Sequence, residues 1–216
     1  MKNLGIGAQE LSAFKKNNYI YVDKTEIIHN LITSGRYYFL SRPRRFGKSL
    51  LLNTIKEIFL GNKDLFVDTW IYDNWNWAEK NPIIKISFTC ISYKEQGLKK
   101  GLELFFDNFA KRVNLIYTES DYSGKFIELI KFLGEKNDVV ILIDEYDKPI
   151  IDYLDRKSAG IAQENKEILK NLYSGIKDCD KYIKLLFITG VSKFSRVSIF
   201  SELNNLIYLS QSFKPE

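Results

Sequence analysis

A short apolar run, Tyr37-Tyr38-Phe39-Leu40, leads directly into Ser41-Arg42-Pro43-Arg44-Arg45-Phe46-Gly47-Lys48-Ser49. From there apolar residues recur at Leu51, Leu52, Ile55, Ile58 and Phe59, the spacing of one helix face, and Gly61 ends the pattern. A strand, a glycine-bearing loop and a helix in immediate succession leave few choices of fold. The helix must start at the strand's carboxyl end, and any strand parallel to the first then needs a crossover rather than a hairpin.

The rest of the chain supplies such units. Residues 83–88 read as a strand. Leu98, Leu102, Phe105, Phe106, Phe109 and Val113 form a second helix stripe, and residues 126–133 a third. Val139-Val140-Ile141-Leu142-Ile143 is wholly apolar, as expected of a strand buried on both faces. Ile168, Leu169, Leu172, Tyr173 and Ile176 mark a fourth helix, and residues 182–189 and 206–209 two more strands. This alternation predicts an α/β three-layer sandwich with a mostly parallel sheet of about five strands, binding ligands at the strands' carboxyl ends. With 216 residues, 45% hydrophobic and 27% charged, one such domain over 1–216 is expected. Residues 61–82 carry Gly61-Asn62, the aromatic string 70–77 and Asn81-Pro82, and read as irregular.

The loop after the first strand is of the Gly-x-x-x-x-Gly-Lys-Ser type, which cradles phosphate. Gly47 lets the backbone N–H groups approach phosphate oxygens, and the helix N-terminus adds partial positive charge. Lys48 would bridge the outer phosphates as a point charge. The Ser49 hydroxyl would bind Mg²⁺. Arg42 holds the position of the first glycine, which predicts an altered conformation where the loop begins. The second motif is the pair Asp144-Glu145 after the apolar strand 139–143. Asp144 would hold Mg²⁺ indirectly, through water or through Ser49, and Glu145 would polarise an attacking water. Acids after a buried strand also cap the next helix, and Asp147 is read that way.

P-loop proteins with a catalytic glutamate insert a strand between those bearing the two motifs, and residues 185–189 are that strand here. Its end, Thr189-Gly190-Val191-Ser192-Lys193, suits a residue that reads the γ-phosphate or orients the water, Thr189 first and Ser192 second. A simple polar strand end is the plainer reading. Tyr19-Ile20-Tyr21-Val22-Asp23-Lys24-Thr25 would either cover a base, with Tyr21 or Val22 packing on it, or form an edge strand before a helix capped by Thr25. Arg42, Arg44, Arg45 and Lys48 make a basic cluster best explained as compensation for a bound nucleotide. No Asn-Lys-x-Asp sequence follows the late strand, so an adenine nucleotide is expected over a guanine one.

Other chemistries are excluded or unsupported. The single histidine, His29, leaves no His-based metal site or triad. Cys90 and Cys179 fit no metal or disulfide spacing and read as small core residues in a reducing, cytoplasmic compartment. No apolar run approaches the roughly 20 residues of a membrane helix. The net charge of +5 is a mild excess, so nucleic acid is unsupported as a partner.

Taken together, residues 19–25, 39–49, 142–149 and 189–195 resemble the bacterial predicted AAA-ATPase-like family, and the likeness runs along almost the whole chain. Arg42 in place of glycine is typical of that family. The resemblance implies an ATP-binding P-loop domain of the catalytic-glutamate division, with ATP and Mg²⁺ as cofactors. Nucleotide contacts would come from Arg42, Pro43, Arg44, Arg45, Phe46, Gly47, Lys48, Ser49 and Leu50, with Tyr21 and Val22 at the base. Lys48, Glu145, Thr189 and Ser192 would carry the reaction, and Ser49 and Asp144 the metal. Fuller members continue into a nuclease-like C-terminal region where this chain reaches Lys214-Pro215-Glu216, so an ATPase domain alone or a shortened chain is expected. The function expected is a Mg²⁺-dependent ATPase; a slow nucleotide-gated switch acting on a protein partner, or the ATPase part of a nucleic-acid-processing system, stand as alternatives.

Overall fold

The computed structural model describes residues 3–5, 7–191, 199, 200, 203 and 205–209. Two N-terminal helices, α1 (Leu11–Lys16) and α2 (Thr25–Ser34), precede β1 (Tyr37–Ser41) and α3 (Lys48–Phe59). Then come β2 (Ile83–Ser87), α4 (Tyr93–Gln96), α5 (Leu98–Val113), α6 (Tyr122–Gly134) and β3 (Val139–Asp144). The chain continues through α7 (Lys148–Ile151), α8 (Ala159–Lys177), β4 (Ile183–Gly190) and β5 (Ile207–Leu209).

The five strands form one sheet in the order β2-β3-β4-β1-β5, and every pair is parallel. The register aligns the carboxyl ends: Ser41 faces Gly190, and Ser87 faces Asp144. β4 lies between β1 and β3, so the loop after β1 and the acids after β3 emerge on the same edge, one strand apart.

The sheet is covered on both faces, and alternation within each strand decides which residue serves which face. Tyr37 and Phe39 of β1, with Val139, Ile141 and Ile143 of β3, pack toward α5, α6 and α8. Tyr38, Val140, Leu142, Leu185 and Phe187 pack toward α2 and α3. All six residues of β3 are buried, which accounts for the unbroken apolar run of the first five before Asp144. Among the described residues no helix is long and apolar enough to cross a membrane.

Two readings need correction, and a third, the irregular stretch 61–82, holds for the backbone. Residues 61–82 are irregular only in backbone: two 3₁₀ turns, Lys63–Phe66 and Trp70–Tyr72, deliver Phe66 and Ile71 fully buried against the α3 side of the core. Residues 20–24 form no strand; only an isolated bridge joins Tyr19 to Asn3, and Thr25 is the first helical residue rather than a cap. Asp23 holds that turn by accepting from the Thr25 N–H at 2.9 Å, while the Thr25 hydroxyl accepts from Ile71 N–H at 3.1 Å. Cys179 is buried, but Cys90 is exposed, because the strand ends at Ser87 and Cys90 sits in the turn closed by its N–H on Ser87 O at 2.9 Å.

Candidate functional site

β1 does not stop at a glycine. The Arg42 N–H donates to Gly190 O at 3.2 Å and the Ser41 hydroxyl to Val191 O at 3.1 Å, so the loop's first step stays stitched to the end of β4. The left-handed conformations fall later, at Arg45 (φ 68°) and Gly47 (φ 74°). An arginine at position 42 therefore meets no demand for positive φ, and the expected distortion is displaced to Arg45, where a non-glycine residue carries the strain. A side chain at Gly47 would meet open space, so its glycine is required by conformation and not by crowding. Gly47 caps α3, its carbonyl accepting from the Leu51 N–H at 2.9 Å. Pro43, Arg44, Arg45 and Phe46 are exposed on the loop; Arg42, Ser49 and Leu50 are half-buried.

Lys48 turns back beneath the loop. It is 6% exposed, and its ammonium donates to Arg42 O at 3.0 Å and Pro43 O at 2.9 Å. Burial lowers its pKa; Asp144, Glu145 and Asp147 act in the opposite direction, and Arg44 sides with burial. The lysine thus lies in the field of all three acids at the end of β3.

Those acids occupy distinct environments. Asp144, the last residue of β3, is buried and accepts from the Thr189 hydroxyl at 2.7 Å through Oδ1. Thr189 is itself fully buried, so its side chain faces Asp144 across the strand pair. Glu145 adopts a left-handed backbone (φ 53°), strained for a residue with a long side chain, and its Oε2 accepts from the Thr89 hydroxyl at 2.7 Å. Asp147 stands at the position before α7, but its carboxylate makes no cap hydrogen bond; Oδ2 accepts from the Val191 N–H at 2.9 Å. Val191 is thereby held at both backbone groups, by Asp147 and by Ser41. Ser192 lies outside the described residues.

Tyr21 and Val22 line a cleft of about 300 Å³ together with Gly47, Lys48 and Leu50. Burial raises the Tyr21 phenol above its ordinary pKa. The segment carrying these residues is tied down from two sides. Asn53, buried on α3, accepts from the Leu11 N–H and donates to Glu10, both at 2.6 Å. Asp23 accepts from the Trp70 N–H at 2.7 Å. Sequence reasoning missed Thr89, Asn53 and the part Asp147 plays; for Thr89 the available signal was a hydroxyl at the end of a strand neighbouring β3. Among the described residues no three His, Cys, Asp or Glu side chains converge as a ready metal cage.

A family model described as Predicted AAA-ATPase matches residues 5–200, and the chain belongs to that family. It is 43% identical over 211 residues to a protein of Azotobacter chroococcum mcd 1 described as an uncharacterized protein in the vnfD 5′ region. That match covers 95% of this chain and 40% of the relative.

Proposed function

We propose that this member of the predicted AAA-ATPase family binds ATP with Mg²⁺ on the loop 42–49 and hydrolyses it, coupling nucleotide state to conformation. The observation that carries this reading is the placement of Lys48 at the start of α3 and of Asp144, Glu145 and Asp147 at and after the end of β3 on the same carboxyl edge of the sheet, one strand apart. In this reading residues 1–216 act as one nucleotide-binding domain with residues 1–35 on its base side, and Tyr21 and Val22 cover the adenine. Backbone N–H groups of Phe46, Gly47 and the first turn of α3 take the phosphates, Pro43, which has no N–H, lines the start of the loop, and Lys48 adds a point charge. Arg42, Arg44 and Arg45 offset the remaining negative charge.

The donor set suits a hard cation. Ser49 offers a hydroxyl and Asp144 a carboxylate whose Oδ2 carries no hydrogen bond among the described residues; Mg²⁺ is commonly held by one or two such oxygens plus phosphate and water. When bound, the ion neutralises charge on the phosphate oxygens. Thr189 contributes by fixing the orientation of Asp144, and Ser192 is the second candidate to face the γ-phosphate. Glu145 accepts the proton of the attacking water.

A second reading, a switch that binds ATP and turns it over slowly while acting on a protein partner, is favoured by one observation: the Glu145 carboxylate is already engaged by Thr89. Single-turnover hydrolysis with Mg²⁺, with binding measured separately, tests both. Turnover above background supports the ATPase. Tight ATP binding without turnover leaves the switch, and no ATP binding refutes both.

A further inference from the structure

Phe46 is 65% exposed on the phosphate loop, and Val22, across from it, is 68% exposed. Both line the cleft of about 300 Å³ described above, whose interior is formed by Ile28, Leu40, Leu51 and Thr54. Its volume falls at the lower end of the roughly 300–1,000 Å³ typical of small-molecule sites. An aromatic ring left in water forgoes the gain of burial, and the backbone shows how it is kept there. Arg45 and Gly47, on either side of Phe46, both hold left-handed conformations. Two such turns in succession carry the ring away from the core and onto the rim of the cleft.

We propose that Phe46 is a base-clamping residue: its ring stacks on the purine of the nucleotide whose phosphates lie on the loop, with Tyr21 and Val22 as the opposite wall. The proposal rests on the nucleotide reading above. The occupant follows from continuity, since Gly47 and Lys48 line the same cleft and a ligand anchored there by phosphate extends its base between the two rims. The polar side chains in the lining are those of Tyr21, Lys24, Lys48 and Thr54, and the Thr54 hydroxyl donates to Leu50 O at 2.9 Å. Among the described residues lining the cleft there is no carboxylate or amide side chain. A base here is therefore gripped by its faces, which suits aromatic stacking, and the amino group of a guanine finds no carboxylate to accept it.

The test compares two ligands, Mg·ATP and inorganic tripolyphosphate, which has the charge but no base. Calorimetry is run on the wild-type chain, Phe46→Ala and Phe46→Tyr. The clamp predicts that Phe46→Ala weakens ATP about tenfold, leaves tripolyphosphate unchanged, and that Phe46→Tyr restores ATP affinity. Equal ATP affinity in wild type and Phe46→Ala overturns the clamp alone. A proportional loss for both ligands also overturns it, assigning Phe46 to loop shape. Wild-type chain that binds neither ligand overturns the nucleotide reading and the clamp with it.

Discussion

Replacing Thr189 by valine removes one hydroxyl from a site with almost no water. The Thr189 hydroxyl donates to Asp144 Oδ1 at 2.7 Å, with Thr189 fully buried and Asp144 only 5% exposed. Valine keeps the volume, so packing is nearly unchanged, and solvent has little access to replace the donor. A buried hydrogen bond to a charged group contributes about 1.5–3 kcal/mol, so the variant should lose about 2 kcal/mol of stability. For a chain of this size that lowers the melting temperature by about 4–8 °C. Thr189→Ser keeps the hydroxyl and deletes one methyl, a loss of about 1 kcal/mol. Thermal or urea unfolding without nucleotide, in EDTA, reads the order wild type, Thr189→Ser, Thr189→Val. A double-mutant cycle with Asp144→Ala isolates the pair. Thr189→Val as stable as Thr189→Ser, or a coupling energy near zero, would refute the reasoning and return Thr189 to a plain strand end.

Gly190→Ala should cost about 1–3 kcal/mol by overpacking, because a Cβ there would press into the Tyr146 ring and lie 3.0 Å from Asp147 Oδ1; an unfolding curve superimposable on wild type would contradict this. Glu145→Gln keeps size and polarity but cannot take a proton, so hydrolysis should fall about 100-fold with ATP binding retained; equal single-turnover rates would remove Glu145 as the base. In a competition titration GTP should displace ATP only at concentrations well above ATP's own, and displacement at comparable concentration would count against adenine preference.

What the sequence made legible were the features written in contiguous residues. β3 could be read residue by residue because burial on both faces leaves no polar position before Asp144. The loop and α3 were legible because glycine, lysine and a helical stripe fall in sequence order. α8 was recognised only from Ile168 onward; it starts at Ala159, where small and polar residues such as Ala162 and Asn165 make the contacts and no apolar period shows. The Asn165 amide donates to Pro149 O at 2.7 Å, a through-space contact with no local signature. The same holds at the site. Thr89 and Glu145 meet just beyond the ends of neighbouring strands, and Asp147 reaches Val191 rather than its own helix. The aromatic string 70–77 looked like loop because its burial depends on α3, which its own spacing cannot reveal: Trp75 packs edge-on against Phe59 with ring centroids 5.5 Å apart.

The central claim is that the loop before α3 and the acid after β3 form one site for the phosphates of ATP and their Mg²⁺. Calorimetric titration of ATP, with and without Mg²⁺, into wild type, Lys48→Ala and Asp144→Ala tests it most directly. The account predicts saturable binding that tightens with Mg²⁺ in wild type. Lys48→Ala should bind at least about tenfold more weakly, equivalent to about 1.4 kcal/mol. Asp144→Ala should still bind ATP but gain nothing from Mg²⁺. Affinity that is the same in wild type and Lys48→Ala, or a Mg²⁺ effect that survives in Asp144→Ala, would contradict it.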